Sequence, residues 1–235
     1  MGVLPENKPQ IPNKEPHNFF IYGQTMSGKS YFANFFPNPL VLNTDGNSSM
    51  GTAPSIQIRN IRNIDGSLKK SAIEQVNQVL LALQTQNDKY GYETVVVDVI
   101  DDLCTMFEQA ICLKGGVVAL SDIPYGKGYA MFNTVLQQFV MDLKALPLNV
   151  IYISRELSIT DENTGRTTEL PSLKSKYYNI VNGNCDLVIH TQRIGNNYLK
   201  TATDHRTDYK QSDIKNKRIL QLLNKVNNVF VKEGK

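Results

Sequence analysis

The chain has 235 residues, of which 41% are hydrophobic and 20% charged, so wholesale disorder is excluded and one large globular domain is favoured. The 25 basic and 22 acidic residues give a net charge of only +3, which excludes a uniformly basic protein. Ten Lys and Arg against four Asp and Glu follow residue 190, so this C-terminal part carries +6 and the rest −3. Such a basic end fits a polyanionic partner, and a solvated surface without a partner explains it equally well.

The N-terminus and the cysteines indicate the compartment. Residues 1–16 contain four prolines and no apolar stretch, so we expect a flexible arm and no secretory signal. No apolar run approaches the ~20 residues of a membrane span, and no membrane partner is expected. Cys104, Cys112 and Cys185 lack metal-binding spacing, which predicts buried free thiols and a cytoplasmic location.

Apolar runs alternate with helical patterns along most of the chain. Short runs rich in apolar residues predict strands at 17–22, 40–42, 94–98, 149–154, 186–190 and 197–200, and the first three are expected to be buried. Apolar residues at helical spacing predict helices at 29–35, 71–84, 103–111, 132–146 and 219–226. Loop residues predict a loop at 121–128 and a hairpin tip at 161–165. The alternation predicts an α/β fold with a mainly parallel sheet flanked by helices.

One motif carries chemistry. Residues 23–30 match G-x-x-x-x-G-K-[ST], the phosphate-binding loop or Walker A motif, between an apolar strand and a helix as the motif requires. Its glycines let backbone N–H groups approach phosphates. As a catalytic residue, Lys29 would reach the β- and γ-phosphates of ATP, and Ser30 would offer its hydroxyl to Mg²⁺. The predicted nucleotide contacts are Gly23, Gln24, Thr25, Met26, Ser27, Gly28, Lys29 and Ser30.

Three more side chains follow predicted strands, at the edge of the sheet where the nucleotide is expected. Asp98 would hold Mg²⁺ together with Ser30, from a strand adjacent to the one that precedes the phosphate-binding loop, and capping of the next helix is the alternative. Asp45 would orient or deprotonate the attacking water, unless its segment is only a turn. Arg155 would contact the γ-phosphate, and a surface salt bridge is an equally good interpretation.

Together these motifs resemble the RecA/RadA-like nucleotide-binding proteins of phage recombination modules, an AAA-type ATPase family. The resemblance covers residues 17–192. Asp45 stands where RecA-like ATPases more commonly carry Glu, and Arg155 where they often carry Gln or His. The matching places are Walker A at 23–30, the end of the second strand at 42–45, Walker B at 95–98 and the end of the fourth strand at 152–155.

The resemblance implies a function and a set of partners. It implies an ATPase that uses ATP and Mg²⁺ and acts on single-stranded DNA in recombination, annealing or repair. A homo-oligomer is expected in the cytoplasm of a phage's host, with a single-strand-binding protein as a further partner. The implied organisation is a RecA-like domain at 17–205, between the flexible arm at 1–16 and a basic helical segment at 206–235.

Lysines lie next to tyrosines in two polar segments, which makes both segments candidate DNA contacts. Aromatic rings stack on bases while lysines contact phosphates. The candidate residues are Lys127, Tyr129, Lys174 and Lys176, with Tyr125, Tyr177 and Tyr178 as further stacking rings. A solvated loop or helix face explains these segments as well. In an oligomer, Lys127 or Arg193 would complete the active site of a neighbouring subunit.

Other functions compete with this one. A small-molecule P-loop kinase would share the motif but usually needs an Arg-rich lid, whereas the seven arginines here are dispersed. A nucleotide-gated assembly or loading protein would bind ATP in order to oligomerise, and hydrolysis would be incidental. A GTPase would need an N-K-x-D motif, which the sequence lacks.

Overall fold

A large sheet with helices on both faces forms the centre of the protein. The computed structural model describes residues 6–9, 12–47 and 51–231. The strands are β1 (Asn18–Gly23), β2 (Pro39–Asn43), β3 (Ser55–Gln57), β4 (Ile61–Arg62), β5 (Leu68–Lys70), β6 (Thr94–Asp98), β7 (Asn149–Thr160), β8 (Thr167–Pro171), β9 (Leu187–Ile194) and β10 (Asn197–His205). The helices are α1 (Lys29–Ala33), α2 (Ala72–Tyr90), α3 (Ile100–Gly115), α4 (Lys127–Ala145), α5 (Ser175–Asn182) and α6 (Lys217–Leu223).

The strand order confirms the predicted fold class. The eight-stranded sheet runs β10-β9-β1-β7-β6-β2-β3, with β8 paired to the far part of β7, and β4 pairs with β5 separately. The central pairs are parallel, whereas β10 runs antiparallel to β9 and β8 antiparallel to β7. The result is an α/β fold of the P-loop type, with a mainly parallel sheet and helices on both faces.

Both faces of the central strands are buried, which explains their uninterrupted apolar runs. On β1, Phe20 and Tyr22 belong to one core cluster, which also includes residues of α2, α3, α4 and α5. Phe19 and Ile21 belong to the other cluster, with residues of α1 and α6. Successive residues of a strand point to opposite faces, so a single apolar run fills both cores.

The prediction that Asp98 lies on a strand adjacent to β1 is wrong. β7 pairs with β1 on one side and with β6 on the other, so it separates the two strands. The register places Arg155 opposite Gly23, and Ile153 opposite Asp98. Strand order depends on long crossover connections, which local apolar patterns do not report. Asp98 and Arg155 nevertheless lie at the carboxyl edge of the sheet, as expected.

Several element boundaries differ from the predicted ones. β7 continues well beyond residue 154 and pairs with β8, so the predicted tip at 161–165 closes a long hairpin. α4 begins at Lys127 instead of Phe132, because the helix includes a polar first turn that the apolar pattern does not mark. The short strands β3, β4 and β5 were not predicted, since they lack an apolar run.

One helical stretch is apolar enough to resemble a membrane span. Ile100–Asp122 meets the requirement by length and composition, with a window of mean hydropathy 1.4, so the expectation that no run approaches this length is wrong. Leu103 and Phe107 on α3 are fully buried against the sheet, as in the core helix of a globular domain. The three cysteines are buried and free, as predicted.

The ends of the described chain lie against the domain. Glu15 accepts hydrogen bonds from the backbone of Lys215 and Asn216, at 3.1 and 3.0 Å. Ile219 and Leu223 on α6 are buried in the core on the α1 face of the sheet. The division into arm, domain and C-terminal segment stays a prediction, and residues 1–5, 10, 11 and 232–235 lie outside the described part.

Candidate nucleotide site

The phosphate-binding loop connects β1 to α1, and its glycines are required by the space around them. A Cβ atom on Gly23 would lie 2.1 Å from the carbonyl oxygen of Thr191 on β9 and 2.8 Å from Ser27 Oγ. Gly28 has φ +88°, and a Cβ atom there would lie 3.2 Å from the ring of Tyr198. Glycine is the residue that fits such close approaches and such backbone angles. The hydroxyls of Ser27 and Thr191 are 2.6 Å apart and tie the loop to the sheet.

Lys29 points into the loop that it follows. Its Nζ donates to the carbonyls of Gly23 and Gln24, at 2.7 Å each, and the residue is only 8% exposed. Burial lowers the pKa of Lys29, while the charges of Asp98 and Glu156 oppose that shift. The ammonium group therefore already lies in the cradle where phosphates are expected, held by weak acceptors that a phosphate oxygen can replace.

Ser30 and Asp98 come together at the edge of the sheet. Burial raises the pKa of Asp98, and a hydrogen bond from Ser30 and the charge of Lys29 partly offset the shift. β6 delivers this carboxylate because Val95, Val96 and Val97 are buried and fix the strand. A hydroxyl beside a carboxylate suits Mg²⁺, which takes oxygen ligands from a few side chains and keeps several waters. The donor set therefore fits the metal that the motif implies.

The end of β2 lies next to Asp98. Thr44 donates from Oγ1 to the carbonyl of Val99 at 2.9 Å and accepts from the Val99 amide at 2.6 Å. Asp45 accepts from the backbone and side chain of Asn47, at 2.9 and 2.7 Å. The charge of Asp45 contributes to the raised pKa of Asp98, so Asp45 lies within electrostatic range of the site. Asp45 is thus part of a turn and also near the site, and its role as a base stays a prediction.

Arg155 makes the salt bridge that was the alternative interpretation. Its guanidinium donates to both carboxylate oxygens of Asp102, at 2.7 and 2.6 Å, and this pair raises the pKa of Arg155. Asp101 accepts from Ser154 and Ser172, at 3.1 and 2.6 Å. Both acids lie in the first turn of α3 and hold the β7–β8 region against it. Contact between Arg155 and a phosphate stays a prediction.

A cavity opens beside the phosphate-binding loop. Its volume is about 610 Å³, a size in the usual range for small-ligand pockets. Sequence reasoning missed Tyr198 and Lys200 as part of this site, since β10 follows the motif by many residues and carries no local signal. The lining residues are Met26, Gly28, Lys29, Ser30, Tyr31, Tyr198 and Lys200.

The candidate DNA residues form what we name the lysine–tyrosine surface, defined as Lys127, Tyr129, Lys174 and Lys176. Tyr129 is 49% exposed, and Lys127 lies over the ring of the exposed Tyr125, 5.9 Å from its centroid. Lys174 pairs with Glu108 at 3.1 Å, whereas Lys176 is exposed. The four residues are available at the surface, and their contact with DNA stays a prediction.

Two of the additional candidate stacking rings, Tyr177 and Tyr178, pack against the core of the protein. Tyr177 is buried, packs against Phe132 with ring centroids 4.3 Å apart, and donates its hydroxyl to Glu108 at 2.8 Å. Tyr178 is partly buried, with its ring edge-to-face against Phe20 at 5.2 Å. The prediction that Tyr177 stacks on bases is wrong, because α5 turns its ring into the core, and stacking by the partly buried Tyr178 stays a prediction.

The basic residues of the C-terminal part have mixed environments. Arg206 donates to the carbonyls of Cys185 and Gly183, and Arg218 donates to that of Phe35 at 2.7 Å. These two arginines therefore connect chain segments. Arg193 lies over the ring of Tyr198 at 5.5 Å, on the side of the cavity, and its role in a neighbouring subunit stays a prediction. Lys232 and Lys235 lie outside the described residues.

A strand–loop–helix cradle, with a lysine inside it and a serine beside a buried aspartate, defines a P-loop nucleotide-binding domain. The family described as the AAA domain matches residues 15–227, and the chain therefore belongs to this family of AAA-type P-loop ATPase domains. No curated protein matches the chain. The narrower likeness to phage RecA/RadA-like proteins stays a prediction.

Two solved structures are distantly similar. A prototypical ATPase from the type III secretion system of pathogenic bacteria is 12% identical with a TM-score of 0.47, over 75% of this chain and 51% of that one. A KaiC-like protein from the hyperthermophilic archaeon Pyrococcus horikoshii is 12% identical with a TM-score of 0.43, over 82% of this chain and 80% of that one. The chain thus spans about half the length of the first. Likenesses this distant concern the fold alone.

Proposed function

We propose that the chain binds ATP with Mg²⁺ at the phosphate-binding loop and hydrolyses it. The observation that supports this most directly is the meeting of three groups at one edge of the sheet. Lys29 lies inside the loop, and the hydroxyl of Ser30 lies close enough to the carboxylate of Asp98 to lower its pKa. A cation for the phosphates and an oxygen pair for the metal are the two requirements of phosphoryl transfer in this class.

Each residue has a separate task in this proposal. Lys29 leaves the carbonyls of its own loop and binds the β- and γ-phosphate oxygens, and Ser30 and Asp98 hold the metal. Mg²⁺ supplies charge neutralisation at the phosphates. Asp45 orients a water and accepts its proton as the water oxygen attacks the γ-phosphorus. The bond to the bridging oxygen breaks, which leaves ADP and inorganic phosphate.

The nucleotide base has a natural place in the cavity beside the loop. Tyr198 lies close over Gly28, so its ring can stack on a base whose phosphates reach Lys29. Lys200, on the same strand, lies at the lining of the same cavity and adds positive charge. Stacking has little base preference, so in this proposal the cavity selects the triphosphate more than the base.

We further propose that single-stranded DNA is the polymer on which the ATPase acts, in phage recombination, annealing or repair. The support is the exposed lysine–tyrosine surface, in which lysines can contact phosphates while Tyr129 stacks on a base. The protein acts as a homo-oligomer, with Lys127 or Arg193 completing the site of a neighbour. A single-strand-binding protein is the proposed protein partner.

The test is an ATPase assay with and without a single-stranded oligonucleotide, combined with mass measurement in the ATP and ADP states. We expect DNA to stimulate ADP formation in the wild type and no turnover in Lys29→Ala. Lys89→Ala is the matched control, because Lys89 lies in the last turn of α2 shortly before β6 begins, at the opposite edge of the sheet. Stimulation by a nucleoside monophosphate instead of DNA would identify a small-molecule kinase.

One observation favours a second candidate, a nucleotide-gated assembly protein. The carboxylate of Asp45 is already engaged by Asn47 through two hydrogen bonds, which leaves it less available as a base. If ATP binding alone drives oligomerisation, Asp45→Ala should assemble as the wild type does. Loss of assembly together with loss of hydrolysis in that variant would exclude this candidate.

A further inference from the structure

Three side chains from three strands converge on the β7–β8 hairpin. Glu156 lies on β7, Glu169 on β8 and His190 on β9. Each offers one ligand atom, and these atoms lie within 4.8 Å of one another. The Nε2 atom of His190 is 2.5 Å from Glu156 Oε2 and 3.7 Å from Glu169 Oε2. Two carboxylates and an imidazole are thus gathered around one point, which we name the hairpin cluster.

The hairpin cluster contains a buried oxygen whose bonding is incomplete. The Glu156 side chain is only 1% exposed, and its Oε1 has no hydrogen-bond partner among the described residues. Its Oε2 is bonded to His190, so the orphan atom belongs to the group at the centre of the cluster. Buried polar atoms without a partner are rare and call for an explanation such as an ion.

We propose that the hairpin cluster binds one divalent transition-metal ion of the Zn²⁺ class. Imidazole nitrogen and carboxylate oxygens are ligands that Zn²⁺ takes at about 2.0–2.2 Å. The ion would sit between the three ligand atoms and replace the hydrogen bond between His190 and Glu156. The binding groups come from β7, β8 and β9, so the ion would fasten the hairpin to the central sheet.

The surroundings of the cluster suit this occupant. Gln192 donates to Glu169 Oε2 at 2.7 Å and so orients that carboxylate, as partners of metal ligands commonly do. The ring of Tyr22 stacks on His190 with centroids 4.5 Å apart, which fixes the plane of the imidazole. The Glu169 side chain is 33% exposed, which leaves a path from solvent.

This site differs in chemistry from the one at the phosphate-binding loop. Ser30 and Asp98 offer only oxygen atoms, which suits Mg²⁺, whereas an imidazole ligand favours transition metals. The inference therefore does not depend on nucleotide binding. Arg155 directly precedes Glu156, so an ion here would also fix the part of β7 that lies beside the nucleotide site.

The experiment is isothermal titration of the chelator-treated full chain with Zn²⁺ and, separately, with Mg²⁺, without nucleotide. We expect one equivalent of Zn²⁺ to bind the wild type, and at least about tenfold weaker binding in both His190→Gln and Glu169→Gln. His205→Gln is the matched control, because His205 lies on β10 and bonds the carbonyl of Asn228 outside the cluster. It should bind Zn²⁺ as the wild type does.

Other results would overturn the proposal. They are the absence of stoichiometric Zn²⁺ binding, binding by Glu169→Gln equal to that of the wild type, or loss of Zn²⁺ binding in Asp98→Asn, which would place the ion at the phosphate-binding loop. Glu169→Gln keeps the test decisive if His190→Gln fails to fold, because its side chain is partly exposed. As a second readout, Zn²⁺ should raise the melting temperature of the wild type and of the control, and raise that of Glu169→Gln by less.

Discussion

The phosphate-binding loop and the lysine–tyrosine surface both carry lysines that we propose to contact phosphates, but the two sets of lysines have different surroundings. In the loop, Lys29 is buried and fixed by two carbonyls at 2.7 Å. On the surface, Lys174 is exposed and its ammonium group already pairs with Glu108 at 3.1 Å. Lys29 is therefore already positioned to bind phosphate oxygens. Lys174 would first have to give up its ion pair with Glu108 before it could bind a phosphate.

A local motif specifies the position of a lysine only where the motif itself fixes the backbone around it. The spacing of Gly23, Gly28 and Lys29 dictates the path of a single loop, so sequence and structure agree there. The role of a surface lysine depends on what packs beneath it, and that is decided by distant residues.

Replacement of the loop lysine should have the largest effect. Lys29→Ala should weaken ATP binding by at least about tenfold, since a hydrogen bond to a charged group contributes ~1.5–3 kcal/mol. Fluorescence titration with a labelled ATP analogue measures this, and far-ultraviolet circular dichroism checks that the fold persists. Lys89→Ala should bind as the wild type does. Wild-type affinity in Lys29→Ala would contradict the nucleotide site.

Asp45→Asn should separate binding from turnover at the same edge of the sheet. The amide cannot accept the proton of water, so kcat should fall by roughly 10²-fold or more if Asp45 is the base. Binding of ATP should change little, because the loop is intact. Steady-state kinetics and equilibrium titration on the same preparation measure both. Equal loss of binding and turnover would show that the turn made with Asn47 is what matters.

The sheet and the loop were predictable because their signals are local. Residues 95–97 are apolar without interruption, and both faces of that strand are indeed buried. The insertion of β7 between β1 and β6 was not predictable, since pairing partners are far apart in sequence. The same holds for the bond between Arg155 and Asp102 and for the hairpin cluster. Tyr129 and Tyr177 look alike in sequence, and only packing against Phe132 separates the exposed ring from the buried one.

On the lysine–tyrosine surface, Lys174 at the N-terminus of α5 and Lys176 within α5 should contribute differently to DNA binding. Each phosphate neutralised on a single strand contributes about −0.7 to the slope of log K against log salt. Lys176→Ala should remove about that amount, and Lys174→Ala less, because Glu108 competes for its ammonium group. Fluorescence anisotropy with a labelled oligonucleotide at several salt concentrations measures both slopes. Equal slopes in both variants, or no binding at low salt, would contradict this surface.

The smallest expected effect is on stability at the metal-binding edge. Burial raises the pKa of Asp98, so the folded state binds its proton more tightly than the unfolded state does. Stability should therefore fall as the pH rises from the usual aspartate range to the raised pKa of the folded state. Asp98→Asn has no such proton to lose, so its unfolding free energy should not fall over this pH range. The variant should therefore become more stable relative to the wild type as the pH rises.

Urea denaturation at pH values from 4 to 7, with a chelator present, measures this difference. Asp88→Asn is a suitable control, because Asp88 lies on the outer part of α2, near the opposite edge of the sheet, and its replacement should leave the pH dependence unchanged. If the difference in unfolding free energy between the wild type and Asp98→Asn stays constant with pH, Ser30 and Lys29 fully compensate the buried charge of Asp98. In the expected case, the carboxylate that suits Mg²⁺ lowers the stability of the metal-free fold, as is common where a site is built for a ligand.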